Sequence, residues 1–186
     1  MSKQSTLNYQ FKTAIFAGFF IAFSWIFIQN LFFYQGWAQP GTTSFSLFFT
    51  QSIAVTLLLF FSFKWYRNQN VGGIVSFGKL MQQGVLTGVG VLIFGTIIFQ
   101  LYINFINPNH LGWLDEMYNL SWMQRGLTDA EIQSQQATND WLNSPIGLLY
   151  GAFFVVFLII IYSVIPAILI MKRKDNSNKV WSTKMA

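Results

Sequence analysis

Groups able to do covalent or acid–base chemistry are few in this chain and far apart. Its 186 residues include one histidine, His110, and no cysteine, so a thiol nucleophile, a thiolate metal site and a disulfide framework are excluded. The nearest acids after that histidine are Asp115 and Glu116. Together the three could act as a small acid–base set at a surface. Asp129, Glu131 and Asp140 follow, but five carboxylates spread over 26 positions do not form a metal-ligand spacing. A solvated acidic face is the expected reading, with weak divalent-ion binding as its alternative. Gly72, Gly73, Gly78 and Lys79 lack the GxxxxGK[ST] spacing of a phosphate-cradling loop, which speaks against nucleotide binding. Gln51, Gln100 and Asn104 are uncharged polar residues within apolar stretches, and they could line a small outward-facing vestibule. No catalytic residue, cofactor or metal ligand is assigned, and the chain is expected not to be an enzyme.

The elements that would hold these residues are set by composition. Hydrophobic residues make up 53% of the chain and charged ones 9%, against about 25% charged in a soluble domain. Thr13 to Phe63 is 51 residues without a charge, long enough for two helices of about 20 residues across a 30 Å hydrocarbon core. Gln35-Gly36-Trp37-Ala38-Gln39-Pro40-Gly41 breaks that run, because Pro and Gly interrupt a helix. Spans are predicted at about 13–34, 45–63, 80–105 and 146–171, the last opening on Ser144-Pro145. A charge at the centre of a span costs roughly 2.5–3.5 kcal/mol, which explains why all four windows lack one. The fold class is therefore an all-α membrane protein: four transmembrane helices as two hairpins in a single domain over 1–186. An outer loop at 106–145 carries a helix predicted at 129–142, which Thr128-Asp129-Ala130-Glu131 opens as a capping box.

Charge placement predicts the orientation. Lys3, Lys12, Lys64, Arg67, Lys79, Lys172, Arg173, Lys174, Lys179 and Lys184 fall on one side, and only Arg125 on the other. By the positive-inside rule both termini are cytoplasmic and the 106–145 loop is extracytoplasmic. Tyr34, Trp37, Trp65, Tyr66, Trp113, Trp141 and Tyr150 suit headgroup depth. The basic tail 172–186 is expected to contact anionic lipid.

Packing between spans is expected where small residues repeat. Gly84 and Gly88 form one GxxxG pattern, Gly147 and Gly151 another, and Ala14, Gly18 and Ala22 a looser version in the first span. Gly72-Gly73 marks a turn in the inner loop and Ser76 is a plausible N-cap. Gly72, Gly73, Ser76, Phe77, Gly78 and Lys79 make up a candidate contact loop.

That inner loop also carries a resemblance. Tyr66-Arg67, Gly72-Gly73-Ile74-Val75-Ser76-Phe77-Gly78-Lys79, Gly84, Leu127-Thr128-Asp129-Ala130-Glu131-Ile132, Asn143-Ser144-Pro145 and the terminal Lys172-Arg173-Lys174 resemble domain-of-unknown-function family 4199. The resemblance covers roughly residues 12–174 and implies a small four-helix inner-membrane protein of a kind found mostly in Bacteroidota. It implies no activity. The short, uncharged first outer turn and the Gln- and Asn-rich outer helix depart from the family pattern. The functional expectation is a non-enzymatic multi-pass protein of the bacterial inner membrane, acting as an accessory subunit or scaffold among protein partners and lipid, without nucleic acid. The alternative is a small oligomeric transport component using Gln51, Gln100 and Asn104.

Overall fold

The computed structural model of the chain describes residues 3–38, 44–69 and 73–171. Pro40 and Gly41 between the first two spans, Gly72 between the second and third, and the basic tail 172–186 lie outside the described residues. Six α-helices follow one another: α1 (Lys3–Tyr34), α2 (Phe45–Gln69), α3 (Phe77–Leu101), α4 (His110–Gln124), α5 (Asp129–Asn143) and α6 (Pro145–Ile170). One π-helical turn, Tyr102–Ile106, continues α3.

Asn8–Tyr34, Phe45–Gln69, Phe77–Ile106 and Leu149–Ile170 are each long and apolar enough to cross a membrane. Their surface requires one. Of the 21 phenylalanines only Phe32 and Phe63 are buried and fifteen are exposed, so the bundle turns most of its phenylalanine rings outward. Water would disfavour that arrangement at about 25 cal/mol per Å² of apolar surface, whereas hydrocarbon accepts it. The chain is an all-α membrane protein.

The spans form two hairpins, α1 with α2 and α3 with α6, set side by side. α1 lies against α3 and α2 against α6, and α1 packs more extensively on α3 than on its own hairpin partner. Period explains which faces meet. Gln10, Thr13, Ala14, Ala17, Ile21 and Ala22 recur at steps of three and four along α1 and are buried, as are Val55, Leu59, Ser62, Phe63 and Tyr66 along α2.

Glycine spacing decides how near the helices come. A Cβ added to Gly18 would lie 2.7 Å from the carbonyl carbon of Gly90 and 2.8 Å from its Cα, so α1 and α3 touch backbone to backbone there. On another face of α3, a Cβ at Gly84 would collide with Ser163, and one at Gly88 would sit 3.4 Å from the Cα of Val156. α3 is glycine-rich because two neighbours use two of its faces. Gly147 is buried at the start of α6, but a Cβ at Gly151 would have no atom within 4 Å. The second half of that GxxxG pattern takes no part in the seam, because α6 meets α3 further along, at Val156, Ile159 and Ser163.

Helix ends follow local chemistry. Gly36 (φ +69°) and Gly126 (φ +72°) take the left-handed conformation and close α1 and α4 as Schellman motifs. Trp37 N–H donates to the Phe32 carbonyl at 2.9 Å, and Leu127 N–H to the Trp122 carbonyl at 3.2 Å. The rings of Phe32 and Trp37 complete the first motif, 5.4 Å apart and edge to face. At α5 the expected capping box forms: Glu131 N–H donates to Thr128 Oγ1, and Thr128 N–H donates to the Glu131 carboxylate at 2.8 Å. The Thr128 N–H and the Thr128 hydroxyl, each donating to that carboxylate at 2.8 Å, hold the Glu131 carboxyl below its ordinary range. Ser144 Oγ accepts from Gly147 N–H at 3.2 Å and caps α6, with Pro145 in the first turn. The outer segment thus contains two helices where the sequence predicts one. α4 is the addition, entered from Asn107-Pro108-Asn109.

Candidate functional site

The densest polar grouping lies at the outer-loop end of the bundle, where three elements converge. α1 ends on Tyr34, the π turn begins with Tyr102, and α4 begins with His110. The wider turn brings Asn107 N–H to the Tyr102 carbonyl at 2.8 Å, and His110 N–H then donates to the Asn107 carbonyl at 3.0 Å. That path sets Asn107 and His110 beside Tyr34. The Tyr34 hydroxyl is 2.9 Å from that of Tyr102 and 3.4 Å from His110 Nδ1, and it accepts from Asn107 Nδ2. The set closes when Tyr102 and Asn107 donate to Tyr34 and Tyr34 donates to His110 Nδ1. The imidazole proton then sits on Nε2.

Aromatic rings enclose the imidazole. Trp113 stacks on it at 5.8 Å, Tyr102 meets it edge to face at 4.9 Å and Phe99 at 6.4 Å, while Tyr34 and Trp113 stack on each other at 5.2 Å. His110 is 3% exposed. Burial lowers its proton affinity below the usual value, so the ring is held neutral. No carboxylate contacts the set among the described residues. Its chemistry is that of a latch: a neutral ring and two phenols fasten α4 to the ends of α1 and α3.

The three acid–base groups that the sequence places near one another are not brought together. Asp115 and Glu116 lie exposed on α4 while His110 is buried at its start, and no group of three His, Asp or Glu side chains able to hold a metal occurs among the described residues. The nearest consequence of Asp115 is on Tyr118, whose phenol is raised by burial and by that carboxylate.

The three vestibule candidates separate as well. Gln51 is buried in the seam between α1 and α2, where its Nε2 donates to the Trp25 carbonyl at 3.4 Å. Gln100 and Asn104 are exposed, and Asn104 Nδ2 donates to the Gln100 carbonyl at 2.8 Å and to its side-chain oxygen at 3.2 Å. They lie on different faces because Gln51 points toward α1 while the other two satisfy one another on the outside of α3.

In the contact loop, Gly73 has φ +63° and Val75 is buried, anchoring the turn. Ser76 occupies the N-cap position of α3, but its hydroxyl makes no capping bond; its carbonyl accepts from Leu80 N–H at 3.2 Å. Phe77, Gly78 and Lys79 are exposed, and the Lys79 carbonyl accepts from Gln10 Nε2 at 3.4 Å.

Beyond the latch, α4 and α5 form an outer layer. Gln136 Nε2 donates to Asn119 Oδ1 at 3.3 Å between them, and α5 rests on α6. Trp122 is buried, whereas Leu111, Leu120, Met123 and Trp141 are between 45% and 64% exposed.

Sequence reasoning missed Tyr34, Tyr102 and Asn107 as members of a site. The first of them is 76 residues from His110, and no linear spacing joins such positions. Tyr34 and Trp113 read from sequence as headgroup anchors, and Asn107-Pro108-Asn109 as the end of a span. That tripeptide also holds the N-cap of α4, the signal that could have pointed to His110.

No curated protein and no solved structure matches this chain. The profile of a family described as "Protein of unknown function (DUF4199)" matches residues 12–172, taking in the four spans, the latch and the outer helices, and the chain belongs to that family.

Proposed function

We propose that this protein is a non-enzymatic accessory subunit or scaffold of a larger assembly in the bacterial inner membrane, with both termini cytoplasmic and the α4–α5 layer as its contact surface. One observation carries the reading: outside the bundle, on a helix that adds little to its core, Leu120 and Met123, three residues apart on one face of α4, present exposed apolar side chains among polar neighbours. Exposed apolar patches of this kind mark interaction surfaces. The latch supports it, since it ties the first turn of α4 to the ends of α1 and α3 without offering an open reactive group. Orientation rests on Lys12, Lys64, Arg67 and Lys79 at the helix ends opposite α4 and α5, and on the cation-rich sequence that follows α6, against Arg125 alone in the segment between α3 and α6. The exposed residues of the Gly73–Lys79 turn would be a second, inner contact.

The test is affinity purification of the full chain in mild detergent with mass spectrometry, in parallel with an L120E/M123E variant. A foreign membrane subunit at stoichiometric ratio, lost from the variant while the protein still inserts, is the expected result. A homogeneous homo-oligomer with no other chain would overturn the proposal and favour transport. Reporter fusions at residues 70 and 125 test orientation; a periplasm-active reporter that works at 70 and not at 125 would reverse it.

A further inference from the structure

At the end of the bundle that carries the N-terminus, residues of α1 and α2 line an open groove of about 460 Å³, within the roughly 300–1,000 Å³ typical of small-ligand sites. Phe20, Leu58 and Phe61 line its deeper part. Phe16 and Trp65, ring centroids 5.9 Å apart, stand at its shallower part, with Lys64 and Asn68 at the mouth. From Leu58 to Asn68 is ten residues of helix, about 15 Å at 1.5 Å per residue, which is half of a roughly 30 Å hydrocarbon core. The groove therefore lies within one leaflet, with its mouth at headgroup depth.

Three features specify an occupant. Lys64 is exposed at the mouth, and Lys12, one helical turn before Phe16, brings a second cation to the same face of α1. The only acid outside the segment between α3 and α6 is Asp175, so the cations at this mouth meet no carboxylate among the described residues. Ser62 lines the groove, is 5% exposed, and its hydroxyl has no hydrogen-bond partner. A buried hydroxyl left unpaired is costly. It lies two residues, about 3 Å of helix rise, deeper than Lys64.

We propose that this groove is a binding site for one anionic glycerophospholipid. An acyl chain fills the apolar length, the ester carbonyl accepts from Ser62 Oγ, and the headgroup phosphate meets Lys64 and the Asn68 amide. A zwitterionic headgroup brings its own cation against Lys64 and Lys12 and is rejected. The site is distinct from the α4–α5 surface and does not depend on what binds there.

Native mass spectrometry of the full chain in detergent, titrated with dioleoylphosphatidylglycerol or dioleoylphosphatidylcholine, tests it. One phosphatidylglycerol should be retained at least fivefold more tightly than phosphatidylcholine. K64Q should weaken it about fivefold, from about 1 kcal/mol per cation near the surface, and K64R should restore it. K79Q, an exposed cation at the same end but off the groove, should change it less than twofold. S62A should lower retention while leaving lipid-free melting unchanged or higher, since it removes an unpaired hydroxyl. Equal retention of the two lipids, equal weakening by K64Q and K79Q, or no effect of both K64Q and S62A would overturn the proposal.

Discussion

Replacing Gly18 by alanine should push α1 and α3 apart, and the size of the effect follows from the backbone contact there. The new Cβ would sit 2.7 Å from Gly90 C and 3.0 Å from Val91 N, where ordinary Cβ contacts begin near 3.4 Å. Its neighbours are main-chain atoms, so no side chain can swing away. The helices must separate by about 0.7 Å, and a gap of that size forfeits a quarter to a half of each dispersion contact across it. With on the order of 30 carbon pairs at 0.1–0.2 kcal/mol each, the loss is about 1–2 kcal/mol. Alanine also gains up to about 1 kcal/mol over glycine in helix propensity, which would mask part of the loss. Gly151 supplies the correction, because it too lies inside a helix and its Cβ would meet nothing within 4 Å. G151A should therefore be neutral or stabilising, and G18A should lie about 1–2 kcal/mol below it. Reversible unfolding in mixed micelles, followed by tryptophan emission, measures the difference. Equal stability of the two variants, or a more stable G18A, would refute the close-approach argument.

Further outcomes follow from the polar groups. His110 is held neutral by burial, so its folded proton affinity lies below the unfolded value near pH 6.5. Its contribution is whole above about pH 6.5 and declines as pH falls through the lowered folded value; protection factors of the α4 amides, which divide out the intrinsic pH dependence of exchange, should fall between pH 7.5 and 5.5, and H110F should flatten that fall. Gln83 is fully buried; with its amide oriented for bonding, Nε2 donates to the Gln10 carbonyl at 3.0 Å and Oε1 accepts from Ala14 N–H at 2.9 Å and the Thr13 hydroxyl at 2.8 Å. Q83M should cost about 0.6–1.7 kcal/mol, the range of interhelical bonds in membranes, and Q83E, which buries a charge, should abolish accumulation of the folded protein. T128A removes the capping box of α5 and should speed amide exchange in its first turn about fivefold, typical of a lost N-cap.

Lipid immersion made the spans legible. A charge-free window is a property of consecutive residues, and the predicted ends at Tyr34 and Phe45 coincide with those observed. α1 begins at Lys3 and α2 runs on to Gln69, because a helix continues past the hydrocarbon into the headgroup region, where polar residues no longer oppose it. α4 was hidden by Gly112 and by its mixed polarity, although Asn109 before it and Gly126 after it are ordinary start and stop residues. Glycines showed that close packing would occur without showing with which partner: Gly84 and Gly88 meet α6, while Gly18 meets Gly90. The latch and the α1–α2 groove join residues tens of positions apart, and only the pairing of helices brings them together.

The preference of α1 for α3 over its hairpin neighbour has a consequence for biogenesis. Gly18 and Gly90 are 72 positions apart, and at 5–20 residues per second about 4–14 s of translation separate them. During that interval the first two helices sit in the bilayer with the Ala14–Gly18–Ala22 stripe of α1 facing lipid tails. A nascent chain arrested before the third helix emerges would present that notch to any insertase or membrane protease that senses unfilled grooves.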